Sequence, residues 1–217
     1  MENPERDLAR QIIENTNTNL FLTGRAGTGK TTFLRQIREE VHKRMVVLAP
    51  TGIAAINAGG VTIHSFLQLP FAPFIPGMQF RMPDRKRRLI RSLDLIVIDE
   101  ISMVRADLLD SVDAALRRYR DPTRPFGGVQ LLLIGDLQQL SPVVKDEDRE
   151  LLSRYYDSEY FFSSHALRQT PFVTVELQTV YRQSDDTFLQ LLNAVRSNRL
   201  DAAMLAQLNA RYVPHFR

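Results

Sequence analysis

The segment Gly24-Arg-Ala-Gly-Thr-Gly-Lys-Thr31 restricts what this chain can fold into more than any other. It fits G-x-x-x-x-G-K-[ST] and lies between an apolar run, Leu20–Thr23, and a stretch with helical spacing of apolar residues, Thr32–Lys43. A strand that turns sharply into a helix is the context in which this pattern holds phosphate. Gly24, Gly27 and Gly29 let the backbone turn so that its N–H groups point inward, and the helix adds its positive end. Ala26, Thr28 and Thr32 complete the expected cradle. Lys30 is placed to reach the β- and γ-phosphates of ATP, and Thr31 offers a hydroxyl to Mg²⁺, a hard cation that keeps several waters and takes few protein ligands. Outside a strand-to-helix context the same residues would be a glycine-rich turn with an ordinary lysine.

A second segment, Leu95-Ile-Val-Ile-Asp99-Glu100, is an apolar strand ending in two adjacent acids. Asp99 suits Mg²⁺ binding, directly or through water, and Glu100 suits polarising an attacking water, as phosphoryl transfer requires. The plainer alternative is a helix start after a buried strand, where acids are favoured.

Further apolar runs at Met45–Ala49, Gln130–Ile134 and Val173–Leu177 read as strands, most of them continuous rather than alternating and so buried on both faces. Helical spacing recurs at Arg105–Tyr119 and Asp185–Ser197. The alternation predicts an α/β domain with a mostly parallel sheet flanked by helices. Leu69–Pro83, with four prolines among aromatics, reads as a loop or small insertion. With 217 residues, no repeat and no flexible linker, one domain over 1–217 is expected.

Composition narrows the class. There is no cysteine, and His42, His64, His165 and His215 are scattered, so a structural zinc is not expected. No apolar run approaches the roughly 20 residues that span a bilayer, and the N-terminal residues lack the apolar core of a secretion signal. A soluble, intracellular protein without membrane partners is expected. The net charge of +3 implies no polyanionic partner by itself, although Arg85, Lys86, Arg87, Arg88 and Arg91 cluster. Such a run reads either as a solvated helix face or as a binding patch.

Other segments decide what kind of phosphate-binding protein this is. Ala49-Pro-Thr-Gly-Ile-Ala-Ala55, Gly59-Gly-Val-Thr-Ile-His-Ser-Phe66, Ile98-Asp-Glu-Ile-Ser-Met103, Gly135-Asp-Leu-Gln-Gln-Leu-Ser-Pro-Val143 and Val180-Tyr-Arg-Gln183 occur in that order. Through nearly its whole length the chain resembles the petite-integration-frequency family of superfamily-one DNA helicases. Asp107 through Gly128 resembles a signature segment that other superfamily-one helicases lack. The resemblance implies a RecA-like P-loop ATPase domain, the first of two motor lobes, with ATP and Mg²⁺ as cofactors. It further implies 5′-to-3′ translocation on single-stranded DNA in the whole protein, which would work as a monomer in DNA repair or telomere maintenance, in a bacterial cytoplasm or a nucleus.

The same resemblance implies that Gln139 senses the γ-phosphate and that Arg182 brings a guanidinium to it. Read from the residues alone, Gln139 could be a solvated loop amide and Arg182 a surface ion-pair partner. Pro50, Thr51 and Gly52, with His64, Ser65 and Phe66, resemble the family's strand-contacting loops. Phe66 either stacks on a base or packs in the core, and His64 either contacts the strand or bonds to backbone at a helix start.

There are two departures from the family pattern. Where the family has a glutamine that reads adenine, Asp7 falls near the expected position, with Gln11 closer to the P-loop. Ser141 also replaces a common proline. After Arg182 the chain is expected to form two helices and to end before a second lobe, as a piece of a longer protein would. A metabolic P-loop kinase is the alternative enzyme class, and it would need an arginine-rich lid of which the sequence gives no sign.

Overall fold

A computed structural model describes residues 3–78, 81–181 and 186–214. Six strands form one parallel sheet: β1 (Asn19–Gly24), β2 (Met45–Ala49), β3 (Val61–Thr62), β4 (Leu95–Ile98), β5 (Gln130–Ile134) and β6 (Phe172–Leu177). Their spatial order is β3-β2-β4-β5-β1-β6, and every pairing is parallel. The chain therefore leaves β1, crosses over β5 and β4, and returns as β2. All strands end on the same edge, where the functional segments collect.

Helices cover both faces. Alternation along the central strands shows how the two cores form: Leu95 and Val97 of β4 face one side, Ile96 and Ile98 the other, and β5 divides Leu132 and Ile134 from Leu131 and Leu133 in the same way. One core adds α1 (Pro4–Asn15) through Ala9 and Ile13, and α2 (Lys30–Glu40) through Phe33, Leu34 and Ile37. The other adds α4 (Ile63–Leu67), α5 (Asp84–Ser92), α6 (Ala106–Tyr119) and α8 (His165–Arg168). The i, i+3, i+4 spacing of these apolar residues makes each helix a one-faced cover. Every residue of β4 is fully buried, each worth roughly 1.5–3 kcal/mol of apolar transfer. Among the described residues, no helix is long and apolar enough to cross a membrane.

The five expected strands are all present within a residue or so at each end. The sixth, β3, is a two-residue edge strand with no apolar run to announce it. β6 departs from the both-faces-buried expectation, because it pairs only with β1 and leaves Phe172 and Val173 about 40% exposed. The helix expected from Thr32 begins at Lys30, since Gly29 in the left-handed region ends the loop there, and it stops at Glu40. Arg105–Tyr119 corresponds to α6 with one residue fewer. The third expected helix is α9 (Asp186–Arg196), Asp185 lying outside the described residues.

The short α3 (Gly52–Ala58), α7 (Asp146–Ser153) and α10 (Ala202–Asn209) complete the description. Leu69–Pro83 holds no regular element among its described residues, as its prolines require. It is nevertheless tied down, with Leu69, Phe74 and Met82 buried.

Candidate nucleotide site and strand-contact loops

Gly24, the last residue of β1, has φ 150°, and a Cβ there would stand 2.7 Å from both the Leu177 carbonyl and the Thr28 hydroxyl. Only glycine lets the loop turn this close to β6. Thr28 is buried and donates its hydroxyl to the Arg25 carbonyl at 2.9 Å, bracing the loop from within. Gly29, at φ 90°, caps α2. The loop is also held from outside: the Tyr181 N–H donates to the Gly27 carbonyl at 2.9 Å, and the Tyr181 hydroxyl accepts from Asn3 Nδ2 at 3.1 Å. The buried Asn3, which also caps α1, thus reaches this side of the molecule, whereas Asp7 and Gln11 lie exposed on α1.

Lys30 Nζ donates to the carbonyls of Gly24 at 2.6 Å and Arg25 at 3.1 Å, so the ammonium lies inside the turn. Burial lowers its pKa, while the nearby carboxylates of Asp136, Glu100 and Asp99 oppose that shift. Ala26, Thr31 and Thr32 are exposed at the mouth.

Asp99 and Glu100 follow directly on β4, and the Asp99 N–H still pairs with the Leu48 carbonyl at 2.9 Å. Burial raises the Asp99 carboxyl to about 6, with the Glu100 carboxylate adding to the effect, and the hydrogen bond from the Glu100 N–H (3.0 Å to Oδ1) opposing it. A half-buried carboxylate with so little donor support suits a cation, and carboxylate and hydroxyl oxygens such as those of Asp99 and Thr31 are the hard donors Mg²⁺ takes. Glu100 is in the left-handed region at φ 51°, before a 3₁₀ turn over Ile101–Met103, and its side chain caps nothing. The acid pair thus does stand at a helix start after a buried strand, as the plainer alternative has it, but without a capping hydrogen bond from the Glu100 side chain.

Gln139 lies past β5 in an exposed turn, its Nε2 donating to Asp136 Oδ2 at 2.9 Å. Asp136 is 2% exposed and is forked by Arg196 of α9. Burial alone would raise the Asp136 carboxyl, but Arg196 with the Gln138 and Gln139 donors holds it below the ordinary range. Asp136 and Arg196 escaped the sequence reading. Asp136 sits inside a quoted motif without a role, and Arg196 is 60 residues away with no local signal. Arg182 lies outside the described residues.

The strand-contact candidates lie on the same edge, two strands along. Pro50 is half-buried and Thr51 and Gly52 are exposed beyond β2, with Thr51 capping α3 through the Ala54 N–H. Thr62 caps α4 through the Ser65 N–H, and Ser65 is exposed. Phe66 is 7% exposed and packs in the core, so of its two readings the structure has the buried one and the ring offers no stacking face. The His64 ring stacks on Phe71 at 4.8 Å instead of bonding to backbone. Its pKa is lowered by burial and by Arg105.

A model of the PIF1-like helicase family matches residues 4–204. The ATP-dependent DNA helicase PIF1 of Saccharomyces cerevisiae is 36% identical over 206 residues, covering 91% of this chain and 23% of the yeast protein. The Homo sapiens ATP-dependent DNA helicase PIF1 is 38% identical over 194 residues, 88% of this chain and 29% of its own length. Among solved structures, Pif1 from Bacteroides in complex with ADP-AlF3 and ssDNA has a TM-score of 0.93 at 41% identity, over 98% of this chain and 51% of that one. Pif1 from Candida albicans has a TM-score of 0.78 at 32% identity, over 95% and 47%. The chain thus spans about a quarter of the curated relatives' length and about half that of the structural ones. A family model that covers most of its residues, on a fold shared with solved members, makes the chain a member of the PIF1-like helicase family.

Proposed function

We propose that this chain is the nucleotide-binding motor lobe of an ATP-dependent DNA helicase, acting with Mg²⁺ and, in the whole protein, with a second lobe that moves 5′-to-3′ along single-stranded DNA. The observation that carries the reading is the position of Lys30 Nζ inside the Gly24–Thr31 turn, with Asp99, Glu100 and Asp136 as its charged neighbours. Phosphate oxygens, being anionic, displace neutral carbonyls from an ammonium group. Lys30 and the loop N–H groups hold the phosphates, and Thr31 and Asp99 are the ligands for Mg²⁺. That ion, when bound, neutralises charge that develops on the phosphates.

Glu100 accepts a proton from the water that attacks the γ-phosphorus. The bond from that phosphorus to the bridging oxygen of the β-phosphate breaks, ADP keeps the electron pair, and the proton passes on from Glu100 to phosphate or solvent. Gln139, as γ-phosphate sensor, and Arg182, as a guanidinium on the γ-phosphate, are both assigned through family likeness. The Thr51 and Ser65 hydroxyls and the Gly52 N–H contact the DNA backbone, with Pro50 and His64 beside them, and such contacts position a strand without reading its sequence. The reading is supported by what the relatives are named for, the yeast and human proteins being ATP-dependent DNA helicases and the Bacteroides structure holding ADP-AlF3 and ssDNA.

Calorimetric titration with ATP-Mg²⁺ tests the site. Lys30→Ala is expected to remove measurable binding, whereas Glu100→Gln is expected to keep affinity within about threefold and to abolish turnover. Unchanged affinity in Lys30→Ala would overturn the reading.

A further inference from the structure

Arg196 is the last residue of α9, which lies against the P-loop. Its guanidinium forks onto Asp136, with Nη2 2.7 Å from Oδ1 and Nη1 against Oδ2. The pair is shielded from water, the two side chains being 21% and 2% exposed. Asp136 also accepts from the Gln138 N–H at 3.1 Å and from Gln139 Nε2 at 2.9 Å. Four donors on one buried carboxylate leave it a single orientation.

That orientation has two consequences. An ionised carboxylate only accepts, so the part of Gln139 turned to it must be the NH₂ end, which leaves Oε1 and one N–H for other partners. Asp136 is also the carboxylate that acts most strongly on Lys30. With Arg196 present its charge is balanced. With Arg196 removed, an unpaired buried carboxylate competes with phosphate for the Lys30 ammonium and repels the incoming anion, and Gln139 loses the rigidity of its partner.

We propose that Arg196 is a positioning residue: by fixing Asp136 it sets Gln139 and leaves Lys30 free for phosphate, giving the site its preference for a triphosphate over a diphosphate. The inference rests on the nucleotide reading above. It also gives α9 a purpose that its sequence does not advertise. The helix is seated by Leu191 and Ala194, and its Asn193 accepts from Arg25 of the P-loop at 3.2 Å, so Arg196 acts from an element docked on the loop itself.

The test is calorimetry on the 217-residue chain with β,γ-methylene-ATP and with ADP, both with Mg²⁺, for wild type, Arg196→Ala, Arg196→Lys and Leu191→Ala. Arg196→Ala is expected to weaken the triphosphate about tenfold and ADP less than twofold. Arg196→Lys keeps the charge without the fork. It should recover part of the loss, and it serves as the folded variant should Arg196→Ala prove unstable. Leu191→Ala loosens the seat of α9, so it should lower Tm and leave the triphosphate-to-diphosphate ratio at the wild-type value. An unchanged ratio in both Arg196 variants, or the same change in Leu191→Ala, overturns the role of Arg196 while the nucleotide site stands. Absence of binding in wild type overturns both.

Discussion

Asp99 is placed where its charge is costly. In the folded chain its carboxyl holds a proton up to about pH 6, because burial and the Glu100 carboxylate disfavour the anion. In the unfolded chain an aspartate releases its proton near 4. The folded state therefore binds more protons between these values, and stability falls as pH rises from about 4 to about 6, reaching a penalty on the order of 3 kcal/mol above that window. Without nucleotide and magnesium at pH 7, Asp99→Asn should raise Tm by roughly 6–12 °C and flatten its pH dependence, measured by differential scanning calorimetry. With ATP-Mg²⁺ the order should reverse, because a cation favours the anion and the amide cannot match it. A lower Tm for the nucleotide-free variant would show that Asp99 is not a strained acid. The places of Lys30, Asp99 and Glu100 in the fold could be read from the sequence because each follows from a local strand-to-helix or strand-end pattern. Asp136 with Arg196 could not, since a buried ion pair across the chain looks like two ordinary charges until the fold brings them together.

The bounds of α6 were legible in the sequence, but its task was not. Three of its acids, three residues apart, each fasten a different loop. Asp107 accepts from the Phe74 N–H at 2.9 Å and from Arg105, holding the proline-rich insertion. Asp110 accepts from the Ser164 hydroxyl at 2.5 Å and the His165 and Ala166 N–H groups at 3.1 and 3.0 Å, tying down the start of α8. Asp113 takes the Phe126 N–H at 2.5 Å, where Phe126 is fully buried with φ 51°, a conformation that a bulky side chain adopts only when its surroundings enforce it. Within the segment Asp107 to Gly128, these three acids thus act as staples between α6 and its neighbouring loops. Periodicity gave the apolar stripe of α6, but the partners of buried acids lie up to 56 residues away and leave no local trace. The same holds for the basic cluster on α5. Lys86 donates to the Ser65 and Phe66 carbonyls and Arg91 to the Tyr119 carbonyl, so part of an apparent charge patch is used to secure neighbouring backbone. Asp110→Ala should destabilise the chain by about 2–4 kcal/mol in urea unfolding, because three buried donors lose their acceptor. Asp110→Asn, which keeps one acceptor, should lose less, and ATP affinity should stay at the wild-type value in both. A loss of affinity matching the loss of stability would place Asp110 in the site after all.

At the scale of the molecule, the sheet order puts the acid pair after β4 and the loop after β2 side by side. β4 carries Asp99 and Glu100 and pairs directly with β2, whose continuation is Pro50-Thr51-Gly52. Neighbouring strands lie about 4.8 Å apart, so the strand-contact loops begin within one strand of the acids. A shift in one is therefore mechanically close to the other. The nucleotide side is walled by the loop, α2 and α9, yet Ala26, Thr31, Thr32 and Gln139 remain exposed, leaving a face that water reaches. Hydrolysis needs charge stabilisation at that face, and an arginine supplied from a second lobe is worth about 10³–10⁵ in rate. This chain should accordingly bind ATP-Mg²⁺ and turn it over slowly, with little stimulation by oligothymidylate. Its own hold on DNA should be weak. Because the loops after β2 and β3 meet phosphate through neutral groups, and counterions are released where Lys or Arg neutralises a phosphate, the slope of log affinity against log salt should be shallow, no steeper than the roughly −0.7 of one neutralised phosphate on a single strand. Fluorescence anisotropy across a salt series gives the slope, and a coupled phosphate-release assay gives the rate. A rate that climbs a thousandfold with oligothymidylate, or rapid unwinding by this chain alone, would mean that the exposed face needs no second lobe and that the division of labour inferred from the open site is wrong.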